Sequence, residues 1–159
     1  MNKKALIGKV IAALRSELEV YFRAAHASRA EATHEQSKAE NRYDTRGLEA
    51  SYLARGQSKQ AAELENAIAE FENLNARKFT ANDSIDVGAL VELEHNRERT
   101  FYFIGPKAGG TEVTHEKKEI LVITPQSPLG SQLIGKKQGE RLQLTIAGSR
   151  SEYRLLLVE

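Results

Sequence analysis

The sequence predicts an α+β protein, in which an N-terminal antiparallel coiled-coil helical hairpin precedes a small antiparallel β domain with one short helix. Three observations predict this class. The first 77 residues contain no proline and are rich in good helix formers. Apolar residues in that half recur in alternating steps of four and three, which is the heptad pattern of coiled coils. After it, short runs of Val, Ile, Leu and Phe are separated by Gly, Pro and Asn, as in strands and turns.

Two heptad seams predict two long helices. The first seam consists of Ile7, Ile11, Leu14, Leu18, Tyr21, Ala25 and Ser28. The second consists of Ala50, Ala54, Gln57, Ala61, Leu64, Ile68 and Phe71. A reversal near Ser37 would bring Ile7 opposite Ile68. Each arm of about 35 residues would be roughly 50 Å long, so the rod either dimerises or reaches into a partner, and the seams alone favour neither.

The predicted domain boundaries follow the change in pattern. Residues 1–76 form the coiled coil, 77–86 a linker, and 87–159 the β domain. Strands are predicted at 87–94, 100–104, 119–124, 142–147 and 153–158, with a short helix at 131–134. Asn96 and Arg97 are expected to form a hairpin turn, and the glycines at 105, 109 and 110 a loop.

The composition excludes several classes of function. There is no cysteine, and the four histidines form no zinc-binding pattern, so disulfides and a zinc enzyme are not expected. Lys9 and Arg15 interrupt the first apolar stretch, and no window is apolar enough to span a membrane. We therefore expect a soluble, cytoplasmic protein without a membrane partner. The net charge of +1 gives no general attraction to nucleic acid; such an attraction would need a local patch.

The most specific segment is 123–140, which reads ITPQSPLGSQLIGKKQGE. It resembles the C-terminal signature of the GreA/GreB family of transcription elongation factors, in which a Ser-Pro-Leu-Gly turn leads through a small helix to Leu-Leu-Gly-Lys-Lys-x-Gly-Asp. Pro128 suits the first turn of a helix. Gly135 suits a left-handed C-cap, and Gly139 a tight turn. The same residues also suit a plain connection from helix to strand.

The resemblance implies an FKBP-like C-terminal domain and an accessory protein that is not itself an enzyme. In this family the C-terminal domain docks at the rim of the secondary channel of bacterial RNA polymerase. Here Ser127, Pro128, Leu129 and Gly130 would form the docking surface. The hairpin enters the channel, and acids at its tip help to hold a magnesium ion shared with the polymerase active site. The polymerase then cleaves its own backtracked transcript. The resemblance also implies that the factor is a monomer and that it contacts the 3′ end of the nascent RNA. It implies that the factor alone binds no metal.

The predicted metal-facing acids are Glu40, Asp44 and Glu35. The family tip resembles Gly-Asp-Leu-Ser-Glu-Asn-Ala-Glu-Tyr, and its Glu-Asn pair aligns with Glu40 and the following asparagine. This register places Ser37 where the family carries an aspartate, and serine is a poor magnesium ligand. Asp44, four residues after Glu40, and Glu35 would have to compensate. Alternatively, Ser37 and Glu40 form a capping box, without any metal.

Basic residues follow the tip along the second helix. Arg42, Arg46 and Arg55 are expected to contact RNA phosphates inside the polymerase channel. The alternative is a solvated helix face that carries charge pairs.

Three rival functions remain open. A factor without the tip aspartate would plug the channel and inhibit the polymerase, as anti-Gre paralogues do; Rnk-like paralogues also bind polymerase without stimulating cleavage. The heptads would alternatively make a homodimeric coiled-coil interaction protein. FKBP-like folds include prolyl isomerases, but a fold does not carry an activity.

Overall fold

The computed structural model describes residues 1–33 and 46–159, which form three helices and six strands. The helices are α1 (Lys3–Thr33), α2 (Arg46–Glu72) and α3 (Pro128–Leu133). The strands are β1 (Leu90–His95), β2 (Glu98–Ile104), β3 (Glu112–His115), β4 (Lys118–Ile123), β5 (Arg141–Ile146) and β6 (Ser149–Val158). This order confirms the predicted α+β class. Within the described ranges, no helix is both long and apolar enough to cross a membrane.

The long helices follow the predicted seams. Ile7 and Leu14 on α1, and Ala61, Ile68 and Phe71 on α2, are all buried. The predicted reversal near Ser37 lies outside the described residues, and the individual pairs across the hairpin stay predictions. Heptad spacing therefore identified some of the buried side chains, whereas Ile11, Leu18 and Leu64 on the same seams are only half-buried.

The sheet is mixed, which corrects the prediction of an antiparallel sheet. Its strand order is β3-β4-β2-β1-β6-β5. Strands β2 and β4 are parallel, with Phe101 opposite Ile120, and the other neighbours are antiparallel. The cause is β3, at residues for which no strand was predicted. It pairs antiparallel with β4, so that β4 runs alongside β2 in the same direction.

The short helix also begins earlier than predicted. It starts at Pro128 instead of residue 131, because Ser127 caps its N-terminus and proline occupies its first turn. The predicted hairpin turn is confirmed, since Asn96 and Arg97 both have positive φ angles (52° and 68°), as a tight two-residue hairpin requires.

Alternation along the strands gives the sheet two buried regions. On one face, Val91, Leu93 and Leu155 join the main hydrophobic cluster, which also contains Leu133 of α3. Phe103, which alternates to the opposite face, has its ring centroid 6.4 Å from that of Phe71 at the end of α2. One face of the sheet is therefore covered by α3, and the other is covered by the C-terminal end of α2, where Phe71 lies.

The described chain divides into two compact units. The sheet unit comprises Met1–Ala13 and Ala69–Glu159, and the helical unit comprises Leu14–Ile68. The predicted boundaries at 76 and 87 stay predictions, but the contacts show that the first thirteen residues belong with the sheet. Leu6 and Val10 of this segment are completely buried, although neither lies on the predicted seam.

Lys3 fixes the first turn of α1 within the sheet unit. This residue is only 5% exposed, and its Nζ donates hydrogen bonds to the backbone oxygens of Gly88 and Glu159, both at 3.0 Å. Nζ also lies 4.6 Å from the centroid of the Phe79 ring, which the Arg77 guanidinium approaches to 4.0 Å. Burial lowers the pKa of Lys3 to about 8, although the Glu159 carboxylate acts in the opposite direction.

Candidate functional site

The signature turn at residues 127–130 is built around Ser127. Its Oγ accepts a hydrogen bond from the Gly130 N–H (3.0 Å) and donates one to the Thr124 carbonyl oxygen (2.8 Å). The first bond satisfies an amide that the start of a helix leaves without a partner. The second ties the helix start to the end of β4, so the hydroxyl holds α3 in place from both sides.

Gly130 is required by a close approach of the backbone. A Cβ at this position would lie 1.9 Å from the Thr124 carbonyl oxygen and 2.8 Å from the Ser127 Oγ. Any side chain would therefore separate α3 from β4. The glycine of the signature has a structural reason that the sequence alone did not reveal.

The remaining residues of α3 divide between core and surface. Leu133 is completely buried and Leu129 is half-buried against the main cluster. Pro128 is exposed, and Ile134, which follows the helix, is 36% exposed. The apolar surface beside the signature therefore consists of Pro128 and Ile134. The sequence gives no sign that Ile134 lies at the surface, because an isoleucine after a helix normally suggests burial.

The segment after α3 is tied to the predicted linker. Gly135, with φ of 83°, donates from its N–H to the Ile85 carbonyl oxygen (2.9 Å), and the Ile85 N–H donates to the Lys136 carbonyl oxygen (2.8 Å). This confirms the left-handed glycine expected after the helix. The linker is itself ordered by Asp83, whose Oδ2 accepts from the Thr80 N–H (2.7 Å) and hydroxyl (2.8 Å). These bonds lower the pKa of the Asp83 carboxyl.

The predicted tip residues fall outside these observations. Glu35, Glu40, Arg42 and Asp44 lie in 34–45, beyond the described residues. Arg46 is the first residue of α2 and Arg55 lies in the same helix. Between residues 1 and 33 and between 46 and 159, no three His, Cys, Asp or Glu side chains are grouped so that they could hold a metal ion.

The aromatic triplet in β2 contributes mainly to packing. Phe103 is completely buried, and Phe101 lies beneath the Lys118 ammonium, whose Nζ is 4.1 Å from the ring centroid. Tyr102 points to the opposite face, where burial, together with the nearby Tyr153, raises its pKa. Phe101 and Phe103 share one face of β2, because side chains alternate along a strand.

The described chain has two long helices, followed by a mixed six-stranded sheet with a capped short helix, which defines an α+β protein. The family model described as "Transcription elongation factor, GreA/GreB, C-term" matches residues 80–159. The chain therefore belongs to the GreA/GreB family of transcription elongation factors. The match begins in the linker and includes the whole sheet with α3.

Individual relatives are more distant. The chain is similar to transcription elongation factor GreA of Xylella fastidiosa (strain 9a5c), with 29% identity over 100 residues, covering 61% of this chain and 59% of the relative. The chain thus matches less than two thirds of that relative's length.

Solved structures similar to this chain cover between 60% and 94% of its length. Gfh1 of Thermus aquaticus has 23% identity and a TM-score of 0.40, with 91% of this chain and 90% of the other covered. GreA factor homolog 1 of Thermus thermophilus has 22% identity and a TM-score of 0.39, with 94% of each chain covered. The GreA/GreB factor of Nitrosomonas europaea has 18% identity and a TM-score of 0.37, covering 60% of this chain and 78% of that one.

Proposed function

We propose that this protein is an accessory factor that binds bacterial RNA polymerase and promotes cleavage of backtracked transcripts by the polymerase itself. The observation that carries the proposal is the family match over residues 80–159, supported by the intact signature turn. The factor acts as a monomer in the cytoplasm, and it supplies no active site of its own. Its helical hairpin enters the secondary channel while the sheet unit stays at the rim.

Docking uses the surface beside α3. Ser127, Leu129 and Gly130 shape the turn through capping, packing and close approach, and Pro128 presents its ring to the partner. Ile134 extends this apolar surface. Exposed apolar side chains that contact a partner's pocket typically dominate the binding energy of an interface.

The tip acts on the metal of the polymerase. Glu40, Asp44 and Glu35 would present carboxylate oxygens, the ligands that magnesium prefers, to the ion shared with the polymerase active site. No metal is needed by the factor alone. Arg42, Arg46 and Arg55 would hold the 3′ segment of the nascent RNA through its phosphates.

A second candidate function is inhibition of the polymerase. In the register set by the Glu-Asn pair, Ser37 stands where the family tip carries an aspartate, and a neutral hydroxyl is a weaker magnesium ligand than a carboxylate. A factor of this kind would occupy the channel without supporting cleavage. The heptad seams also keep a homodimer as an alternative, which sedimentation of the purified protein separates from a monomer.

The deciding experiment is transcript cleavage in a stalled, backtracked polymerase complex. We expect short 3′ RNA fragments with the unaltered protein, and a loss of roughly tenfold or more in cleavage rate with Glu40→Ala or Asp44→Ala. Glu17→Ala, which removes an exposed acid from α1, serves as the matched control and should cleave normally. Binding with suppressed cleavage would establish inhibition instead. Absence of binding would refute both functions.

A further inference from the structure

The terminal hairpin β5–β6 carries a polar exposed face. Leu142, Leu144 and Leu155 point into the main hydrophobic cluster, so the alternate residues of both strands point to solvent. We call these residues the ribbon face: Arg141, Gln143, Thr145, Arg150, Glu152 and Arg154. All six are exposed.

The ribbon face has more positive than negative charge. Its three guanidinium groups meet a single carboxylate, that of Glu152, which lies 3.0 Å from Arg141 Nη1. In the described part of the chain, Arg150 and Arg154 have no carboxylate at ion-pair distance. Glu94 is opposite Arg154 in the register of β1 and β6, but its Oε2 lies near Arg99 Nε instead (3.8 Å).

Two arginines face each other directly across the hairpin. Arg141 is the register partner of Arg154, and like charges directly opposite in an antiparallel pair destabilise a sheet. Folding does not require this pair, because both side chains are exposed and threonine, which favours strands, would suit either position. A negatively charged ligand between the two guanidinium groups would offset their repulsion, because it would attract both of them.

We propose that the ribbon face binds the phosphate backbone of nucleic acid. The planar guanidinium forks of Arg150 and Arg154 match phosphate oxygens, and Gln143 and Thr145 add neutral groups of the kind that commonly contact phosphate and sugar. Arg150 and Arg154 lie four residues apart on one strand, hence about 13 Å, which is roughly four base-pair steps of 3.4 Å. Because the protein's net charge is only +1, attraction to nucleic acid would need a local basic patch of this kind.

This binding site is separate from the RNA contacts of the proposed function. Those contacts use α2 and the tip, whereas the ribbon face lies on the sheet unit. Duplex DNA beside a polymerase and single-stranded RNA both offer phosphates, so both are used as probes. The inference does not require that the protein bind polymerase, and the two ideas can fail independently.

The test is fluorescence anisotropy with a labelled 20-base-pair DNA duplex and a 20-nucleotide RNA, titrated with the full chain at several salt concentrations. The variant combines Arg150→Gln with Arg154→Gln. The control combines Lys107→Gln with Lys117→Gln, which removes the same charge from exposed turns near the opposite edge of the sheet. We expect the ribbon variant to lose roughly 10- to 60-fold in affinity at 0.1 M salt and to lower the salt slope by about 1.8 on DNA. The control should lose less than about threefold.

Three results would overturn the proposal. One is absence of DNA and RNA binding by the unaltered protein at 25 mM salt. Another is an equal loss in the ribbon variant and the control, which would show a response to overall charge only. The third is loss of polymerase binding in the ribbon variant while nucleic-acid affinity is unchanged, which would assign the face to an acidic protein surface. Preference for one probe identifies whether DNA or RNA is the ligand.

Discussion

Replacing Gly130 with alanine should push the first turn of α3 away from Thr124, the residue that follows β4. The new Cβ would stand 1.9 Å from the Thr124 carbonyl oxygen, and real Cβ atoms essentially never approach within 3.0 Å of another heavy atom. Backbone, rather than a flexible side chain, blocks the position. The first turn of α3 must therefore shift by about 1 Å, estimated from the difference between these distances.

The cost follows from the contacts that this shift breaks. Both hydrogen bonds of the Ser127 hydroxyl would be lost, at about 1 kcal/mol each, and Leu133 would pack less tightly in the cluster. We expect a total of about 3 kcal/mol. For a chain of this size that corresponds to a fall of about 6–12 °C in Tm.

Thermal unfolding followed by circular dichroism measures the effect, with two glycines of the same unit as comparisons. Gly135 has a positive φ of 83°, but a methyl group added there would meet no other atom within 4 Å, so Gly135→Ala should cost about 1 kcal/mol from backbone strain alone. Gly8 lies within α1 with open space around it. Gly8→Ala should stabilise the protein by about 0.5–1 kcal/mol.

The order of stability of the three variants tests whether the close approach at Gly130 exists. If Gly130→Ala were no more destabilising than Gly135→Ala, the close approach of α3 to β4 would not exist in solution. The account of the signature glycine as a steric requirement would then be wrong.

Three further predictions concern other parts of the sheet unit. The pKa of Lys3 is about 8 in the folded protein, below its ordinary value of 10.5, so the unfolded state holds more protons between these values and stability should rise by about 1–2 kcal/mol as pH increases from 8 to 10.5. Urea midpoints at pH 7.5 and 10 check this, and a Lys3→Met variant with the same pH dependence would contradict it. Phe71→Ala, which removes the ring against Phe103, should cost about 3–4 kcal/mol in urea unfolding, and a cost below 1 kcal/mol would refute that packing. Ile134→Asp, at a side chain that is 36% exposed, should lower Tm modestly but weaken polymerase binding roughly tenfold in a competition assay, whereas Gln132→Asp, its exposed neighbour, should bind normally.

The sequence was informative where local chemistry decides structure. Heptad spacing identified Leu14 and Ile68 as buried, and short runs of Val, Ile, Leu and Phe located strands such as β2 and β4. Pro128 and Gly135 marked the two ends of α3, because proline suits a first turn and glycine a left-handed cap. These features need no knowledge of distant residues.

What could not be predicted depends on contacts between distant parts of the chain. The strand β3 reads Glu-Val-Thr-His, and it is a strand because β4 supplies its hydrogen-bond partners. Lys3 is buried because the carbonyl oxygens of Gly88 and Glu159 accept hydrogen bonds from it. No local sequence pattern predicts a buried lysine. Gly130 is needed for a neighbour six residues earlier in the chain. The acids of the tip stay a prediction.

The position of β6 has a consequence for the order of folding during synthesis. This strand is the last of the six to leave the ribosome, yet it lies between β1 and β5 in the sheet. Leu90 exchanges two backbone hydrogen bonds with Glu159 (both 2.9 Å). One edge of β1 therefore stays unpaired while more than fifty further residues are synthesised. Exposed strand edges of this kind promote aggregation. Translation without pauses between β1 and β6 should therefore limit aggregation of the growing chain.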